Sequence, residues 1–375
     1  MFSFFIENEI SKIKKYRLIN EKNELIDNII INKNKKEENP EISVIITVYN
    51  QANCFYKALR SVQNQSFKNI EIIIVDDFST DNSIDIIEKY QKMDDRIVLI
   101  KHSYNYGTIK SRSDAIKLSK GTYITILDGD DGFAIPNILY KCFSISQIGN
   151  LDVVEFKGAY FLNKSYKKIE NHLDCIPNLK NRIIYQPELK YKFIKFANNN
   201  NNWAYLNRNI WSKFVKNEIF KKVLDYIGPK YTEDCILNFE DTIMSISLFI
   251  IANSYYLIKE PGYYRSKEKK LQSKITKEVN QNNKYKCITN IKLDSTKYLQ
   301  FLSEKLNNNK ITGELIYNEF FAINYDLNLC NNSSNDCNYT IKILDIILCK
   351  FTFLGQKQRS FLIDYKNRLF KNKRF

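Results

Sequence analysis

Past Pro40 the chain settles into a rhythm that leaves few folds open. Short β-branched runs alternate with segments of helix length. The runs are ISVIITV at 42–48, IEIIIV at 70–75, RIVLI at 96–100, YITIL at 123–127 and DVVEF at 152–156. The segments between them span 52–66, 81–92, 108–119 and 136–148. The runs are apolar at odd and even positions alike, so each strand must be covered on both faces. That is the condition of a parallel sheet between two layers of helices. Strands and helices alternating over connections this short predict an open, doubly wound α/β sheet. With 375 residues, 44% of them hydrophobic, the chain has material for such a core and for additions to it.

Ligands of doubly wound sheets bind at the carboxyl ends of the strands. Here TVYN ends the first run, VDD the second and LDGDD the fourth. One site is therefore expected from Tyr49, Asp76, Asp77, Asp128, Asp130 and Asp131. Asp-Gly and Asp-Ser pairs also cap helices and make turns, and Asp81 in STDNS reads as such a cap. Capping does not call for three acids after one strand and two after another. Carboxylates crowded in this way are tolerable around a divalent cation, and oxygen-only ligands favour Mg²⁺ or Mn²⁺. Such an ion completes its shell with phosphate oxygens of a substrate.

Other chemistries lack their residues. Counted from Asp128, positions 6 and 12 of an EF-hand loop fall on Phe133 and Leu139, where Gly and Glu are required. No two glycines lie two apart, and there is neither a G-x-x-x-x-G-K nor a G-x-S-x-G. His102 and His172 are the only histidines, which speaks against a zinc site or a histidine triad. The net charge of +15 favours anionic partners, but the chain's Lys and Asn bias reads as a solvated surface, and no nucleic-acid partner is expected. Eight cysteines without a C-x-x-C pair read as reduced thiols of a cytoplasmic protein. The N-terminus puts apolar residues before charge, the wrong order for a secretory signal, and the longest apolar stretches fall short of the ~18 residues a membrane span needs. Residues 1–40 read as a charged extension with a helix or two carrying Ile10, Ile13, Leu18, Leu25 and Ile29.

The stretch from EISVIITVYNQANCFYKALRSVQNQSFKNIEIIIVDDFSTDNS to NYGTIKSRSDAIKLSKGTYITILDGDD resembles the nucleotide-sugar half of family 2 glycosyltransferases. It shares T-x-Y-N after the first strand, S-x-x-x-Q-x-x-x-x-x-E leading into V-D-D-x-S-x-D, and D-x-D-D after G-x-Y-I. The resemblance implies a GT-A fold, a metal held by D-x-D, and transfer of a sugar from a nucleoside diphosphate, UDP by family frequency, to an acceptor hydroxyl of a glycan or glycoconjugate with inversion. It places Thr47, Tyr49 and Asp77 at the nucleobase, with Asp76 the less defined member of its pair, and Arg112 on the nucleotide. The family's Asn after that Arg is Ser113 here. Asp128 and Asp130 take the two D-x-D roles, ribose-side contact and metal ligand, and Asp131 is a further metal candidate.

Downstream, NFEDTIMSISLFIIA opens an apolar helix with Glu240 and Asp241. Acids in a first turn are stabilised by the helix dipole by ~0.3–1 kcal/mol. The resemblance makes Asp241 the base that deprotonates the acceptor and Glu240 its support. NRNIWSKFVKNEIF resembles the family's W-x-K-x-x-K-x-E-x-F segment, where Trp211, like Trp203, is either an aromatic face for a sugar or a core residue. EPGYYRSKEKKLQS resembles the strand that closes the domain and a mobile loop after it. There Arg265, Lys267, Lys269 and Lys270 either cover the diphosphate or form a solvated charge run.

The expected organisation is a catalytic domain at 41–265, with a donor half at 41–150 and an acceptor half at 151–265, followed by a loop and a helical region over 266–375. The final FLIDYKNRLFKNKRF is basic and amphipathic, fit for a peripheral contact with an anionic membrane or for packing as a terminal helix. A sugar nucleotidyltransferase shares sheet and metal but carries a G-x-G-T-R-like loop where this chain reads TVYNQANC. A receiver domain also places acids at strand ends, but it does not extend into a second half of this kind. A non-catalytic sugar-nucleotide-binding protein of the same fold remains as an alternative.

Overall fold

The computed structural model of the chain describes residues 39–162, 165–169, 182–190, 209–233, 239–266 and 356–371, short strands at 18–19, 25–26 and 29–30, and parts of 297–305 and 344–348. Ahead of Pro40 these residues form strands, where helices were expected. β1 (Leu18–Ile19) pairs antiparallel with β2 (Leu25–Ile26). β3 (Ile29–Ile30) adds antiparallel to the outer strand of the main sheet, with Ile29 opposite Ile100. Paired isoleucines suit a pleated edge better than a helix, because their branched Cβ loses rotamers in a helical turn. Ile10 and Ile13 lie outside the described residues.

The predicted runs become strands within a residue or so of their sequence limits: β4 (Ile42–Val48), β5 (Ile70–Asp76), β6 (Ile97–Lys101) and β7 (Tyr123–Asp128). Helices α1 (Phe55–Gln63), α2 (Ser83–Gln91) and α3 (Thr108–Leu118) connect them. β8 (Gly132–Phe133) and α4 (Ile138–Gly149) follow, then β9 (Val153–Leu162), β10 (Ser165–Ile169) and β11 (Ile184–Tyr185). The second half adds β12 (Lys213–Lys216), α5 (Asn217–Ile227), α6 (Pro229–Thr232), α7 (Glu240–Ile251) and β13 (Ser254–Arg265), and α8 (Gln356–Lys371) lies near the C-terminus.

The sheet runs β11-β13-β9-β12-β7-β4-β5-β6-β3. β4, β5, β6 and β7 are mutually parallel, and β9 is parallel to β13. β12 runs antiparallel between β7 and β9. Only four residues long and with lysine at both ends, it gives no strand signal in sequence. Alternate residues of the strands feed two cores, as their two-sided apolarity requires. Ile45, Ile73, Val75, Ile124 and Ile126 face α3, α5 and α7, whereas Val44, Ile46, Ile72, Ile74 and Leu127 face α1 and α4. Each such side chain contributes on the order of 1.5–3 kcal/mol when fully buried. The C-terminal helical residues Tyr298, Phe301, Leu302, Leu344, Ile347 and Leu362 join the first core.

The chain order sets the place of the site. From β4 it steps outward to β5 and β6, then returns across the sheet through α3 to β7 on the other side of β4. The carboxyl ends of β4 and β7 therefore diverge into a crevice, the topological switch point.

Candidate active site

A cleft of about 340 Å³ opens at that switch point. Its wall carries Thr47, Tyr49, Asp77, Arg112, Asp128, Asp130, Trp211, Glu240, Asp241 and Arg265, together with Gln51, Thr108, Ser111 and Asn209. Of the sixteen residues singled out from sequence for site roles, twelve are described and ten of those meet in one place. Asp76 and Asp131 are buried beside it and do not line it. Trp203, Lys267, Lys269 and Lys270 lie outside the described residues.

The acids sit on a braced turn. Near the end of β4, the Thr47 carbonyl accepts the Gly129 N–H at 3.1 Å. A Cβ at Gly129 would come within 2.9 Å of that Thr47 carbonyl oxygen, a backbone atom that cannot swing aside, so the close approach favours glycine. Asp131 is 1% exposed and anchors the turn: Oδ2 accepts the Tyr263 hydroxyl at 2.9 Å and Oδ1 the Ser266 N–H at 2.9 Å. The same Tyr263 oxygen accepts the Asp128 N–H at 3.3 Å. Behind the turn, Ser61 Oγ accepts the Phe133 N–H at 2.9 Å, and the Gln65 amide spans Ile135 O and the Leu139 N–H. The S-x-x-x-Q-x-x-x-x-x-E signature is therefore structural. Its last member, Glu71, is buried and accepts from the Ser43 hydroxyl and the N–H groups of Lys120 and Gly121.

Asn50, left-handed at φ 51°, clasps the neighbouring loop by accepting the Thr80 N–H at 2.7 Å. Asp81, one residue ahead of the α2 N-cap Asn82, makes a turn by accepting the Ser83 N–H at 2.9 Å, and reaches the Ala52 N–H at 3.0 Å. Asp76 accepts the Ser79 N–H at 3.1 Å, and burial raises its pKa.

Arg112 is the hub of the charges. It is 2% exposed, donates from Nη2 to Asp128 Oδ1 at 3.1 Å, and donates from Nη1 to Asp241. Burial opposes its charge, but Asp241 and Asp128 outweigh that and raise its pKa. The Arg112 side chain was placed on the nucleotide by resemblance, and here it joins the acidic turn to the first turn of α7. Burial raises both carboxyls of that turn, with Glu240, next to Asp241, pushed up to about 8. Direct contact with the guanidinium favours the ionised form of Asp241 against that burial, and Glu240 has no such contact. Phe239, just before them, is left-handed at φ 68° and stacks on Tyr298 at 5.2 Å between centroids.

Trp211 is 5% exposed, stacked on Tyr263 at 4.3 Å, with the Arg265 guanidinium 5.6 Å over its ring. It is an edge of the cleft wall more than an open platform. Arg265 itself reaches the cleft.

The donor set fits a hard divalent ion. Carboxylate oxygens of Asp128, Asp130 and Asp131 lie within 4.8 Å of one another, and among the described residues no histidine or cysteine joins them. Sequence reasoning missed Tyr263, Asn209, Gln51, Thr108 and Ser111. Only Thr108 and Ser111 carried a signal: Thr108 lies three residues before Ser111 and four before Arg112, spacings that put it beside both on the helix surface.

Residues 43–154 match the family model described as glycosyl transferase family 2. The chain is 47% identical over 97 residues to the Escherichia coli UDP-Glc:alpha-D-GlcNAc-diphosphoundecaprenol beta-1,3-glucosyltransferase WfaP, an alignment covering 26% of this chain and 38% of WfaP. It is 37% identical over 93 residues to the Campylobacter jejuni GalNAc(5)-diNAcBac-PP-undecaprenol beta-1,3-glucosyltransferase, covering 24% of this chain and 30% of that one. The chain thus spans well under half the length of these relatives. Among solved structures, S. aureus TarS 1-349 superposes with a TM-score of 0.58 at 16% identity, over 88% of this chain and 87% of that one, which supports the same GT-A fold.

Proposed function

We propose that this chain, a member of glycosyl transferase family 2, transfers a hexosyl or hexosaminyl residue from a UDP-sugar to a glycan hydroxyl with inversion. The observation that carries the reading is Arg112 spanning one cleft, with the D-x-D acid Asp128 on one side and the helix-borne acid Asp241 on the other. A displacement reaction needs a group acting on the leaving diphosphate and another acting on the nucleophile, on opposite faces of the anomeric carbon. The name of WfaP specifies a UDP-glucose donor, and TarS has been solved with UDP-GlcNAc. Both support a uridine carrier.

In this reading Thr47, Tyr49 and Asp77 receive the nucleobase, and Asp128 the ribose side. Asp130, with Asp128, would hold Mn²⁺ or Mg²⁺, while Asp131 braces the turn from behind. A bound ion would neutralise charge growing on the leaving diphosphate. Arg265 approaches the same phosphates. Asp241 takes the acceptor's proton, and the protonated Glu240 donates a hydrogen bond to the acceptor. Residues 41–150 then form the donor half and 151–265 the acceptor half, followed by a C-terminal region over 266–375, of which Tyr298, Phe301, Leu302, Leu344, Ile347 and Leu362 join the first core. Both named relatives act on undecaprenol-linked diphosphates, and a like acceptor would place this protein in the cytoplasm, peripherally at a membrane. Among the described residues no helix is long and apolar enough to cross one.

The test is Asp241→Asn, which keeps the shape and removes the base. Donor affinity by calorimetry should stay near wild type, while the transfer rate falls by ~10²–10⁴. Transfer at near the wild-type rate would reduce the Glu240–Asp241 pair to a helix opening and refute the assignment.

A further inference from the structure

Beside the cleft, away from the acid pair, lies a second charged cluster that the transfer chemistry does not use. His102 follows β6 and is 5% exposed. Its Nδ1 lies 2.7 Å from Asp77 Oδ1 and its Nε2 3.2 Å from Asp114 Oδ2. With a carboxylate oxygen opposite each ring nitrogen, both nitrogens must donate, which makes the ring an imidazolium. Burial works against that charge, but Asp114 and Asp77 outweigh it and push the imidazole up to about 9. Asp114 is held in turn by Lys110 at 2.7 and 2.8 Å, and Lys110 reaches Glu233 at 2.9 Å. The result is a buried relay of alternating charge from α3 to Asp77.

Asp77 is the end of the relay that reaches the cleft. Its Oδ1 accepts from His102 and from the Tyr106 N–H at 2.9 Å, and its Oδ2 accepts the Gly107 N–H at 2.8 Å. Gly107 is left-handed at φ 84°, a conformation that brings its N–H to the carboxylate at little cost only without a side chain. A carboxylate offers about four acceptor positions. Three are filled here, two on Oδ1 and one on Oδ2, so the remaining one belongs to Oδ2.

We propose that His102 is a positioning residue for base recognition: it fixes the Asp77 carboxylate so that the remaining Oδ2 position faces the cleft and accepts the imide N–H of a uracil. This rests on the nucleotide reading above. A carboxylate fixed there favours a base that presents a ring N–H. Cytosine presents an unprotonated ring nitrogen at the same edge and is repelled. Without the imidazolium, Asp77 keeps its two backbone donors but loses the charged one that sets its rotation, and Asp114 loses a partner as well. Discrimination between bases should then weaken, whereas contacts to the diphosphate should not.

The experiment is calorimetric titration of the full chain, with Mn²⁺ present, by UDP, CDP and inorganic pyrophosphate. Wild type, His102→Gln and Asp114→Asn are compared. Wild type should prefer UDP over CDP by about 10- to 100-fold, the worth of a charge-assisted hydrogen bond made to one base and refused to the other. In His102→Gln that ratio should fall to within about threefold, and in Asp114→Asn to an intermediate value. Pyrophosphate binding should be unchanged in both, as loss of one hydrogen bond remote from the diphosphate predicts. Two results overturn the inference alone: variants that keep the wild-type ratio, or variants that lose pyrophosphate in step with UDP, which would make His102 a general prop of the fold. A wild type that binds neither nucleotide overturns the nucleotide reading, and the inference with it.

Discussion

Raising the pH from 6 to 10 should cost this protein stability, and much of the loss should trace to one side chain. In the fold, Asp77 and Asp114 hold the His102 proton up to about pH 9, against an ordinary value of 6.5. Below pH 6.5 folded and unfolded chains both carry the proton. Between 6.5 and 9 the unfolded chain has released it and the folded one has not, so each step up in pH favours unfolding. Above 9 the contribution is gone. A gap of about 2.5 pH units at ~1.4 kcal/mol each gives about 3.5 kcal/mol, of which about 3 kcal/mol is lost between pH 6 and pH 10. The assay is urea unfolding followed by circular dichroism at pH 6, 7, 8, 9 and 10, for wild type and His102→Gln. Glutamine cannot take up the proton, and the cysteines, the lysines and His172 are common to both chains, so their titration cancels in the difference. The charged groups facing the ring are Asp77 and Asp114, with Lys110 and Glu233 beyond them. Lys110, whose pKa is raised by Asp114 and Glu233 against the effect of burial, stays charged over most of this range. The stability gap between the two chains should be largest at pH 6 and shrink by about 3 kcal/mol by pH 10. A gap that stays constant to within about 0.5 kcal/mol would refute the imidazolium.

Two further substitutions test the frame of the cleft. Arg112→Met removes the buried cation between Asp128 and Asp241 and should destabilise the chain by ~3–5 kcal/mol in urea melts, because two carboxylates are left in a poorly solvated place. Tyr263→Phe removes the hydroxyl that joins the Asp128 N–H to Asp131 and should cost ~1–3 kcal/mol, together with a measurable loss of Mn²⁺ affinity by calorimetry.

The sheet was legible because its strands are long, β-branched and apolar on both faces, a pattern that suits little besides a doubly wound core. The cleft followed from topology, since acids at strand ends had to converge once the strands were placed in parallel. What stayed hidden was short or relational. β12 is four residues with lysine at each end, and it becomes a strand because β7 and β9 leave a gap that only a strand can fill. Tyr263 is one of many tyrosines until β13 brings it beneath Asp128, 135 residues away along the chain. The roles of Asp76 and Asp131 were unreadable for the same reason. A carboxylate that faces a cleft and one that faces a neighbouring N–H look alike in sequence, and only the pleat of the strand and the turn after it separate them. Leu18, Leu25 and Ile29 misled as helix because their spacing was sparse and the strand partners that receive them, such as the open edge of β6 opposite Ile29, are not visible from that spacing.

The claim on which the rest depends is that the acids of the turn and a nucleoside diphosphate share one divalent ion. The direct measurement is calorimetric titration of UDP into the protein with and without Mn²⁺, for wild type and Asp130→Ala. If the ion is shared, Mn²⁺ raises UDP affinity in the wild type by at least about tenfold, a coupling of ~1.4 kcal/mol or more, and UDP raises Mn²⁺ affinity by the same factor. Asp130→Ala should remove the coupling while leaving some metal-independent UDP binding through the base. Equal UDP affinity with and without Mn²⁺ in the wild type, or a coupling that survives in Asp130→Ala, would contradict it.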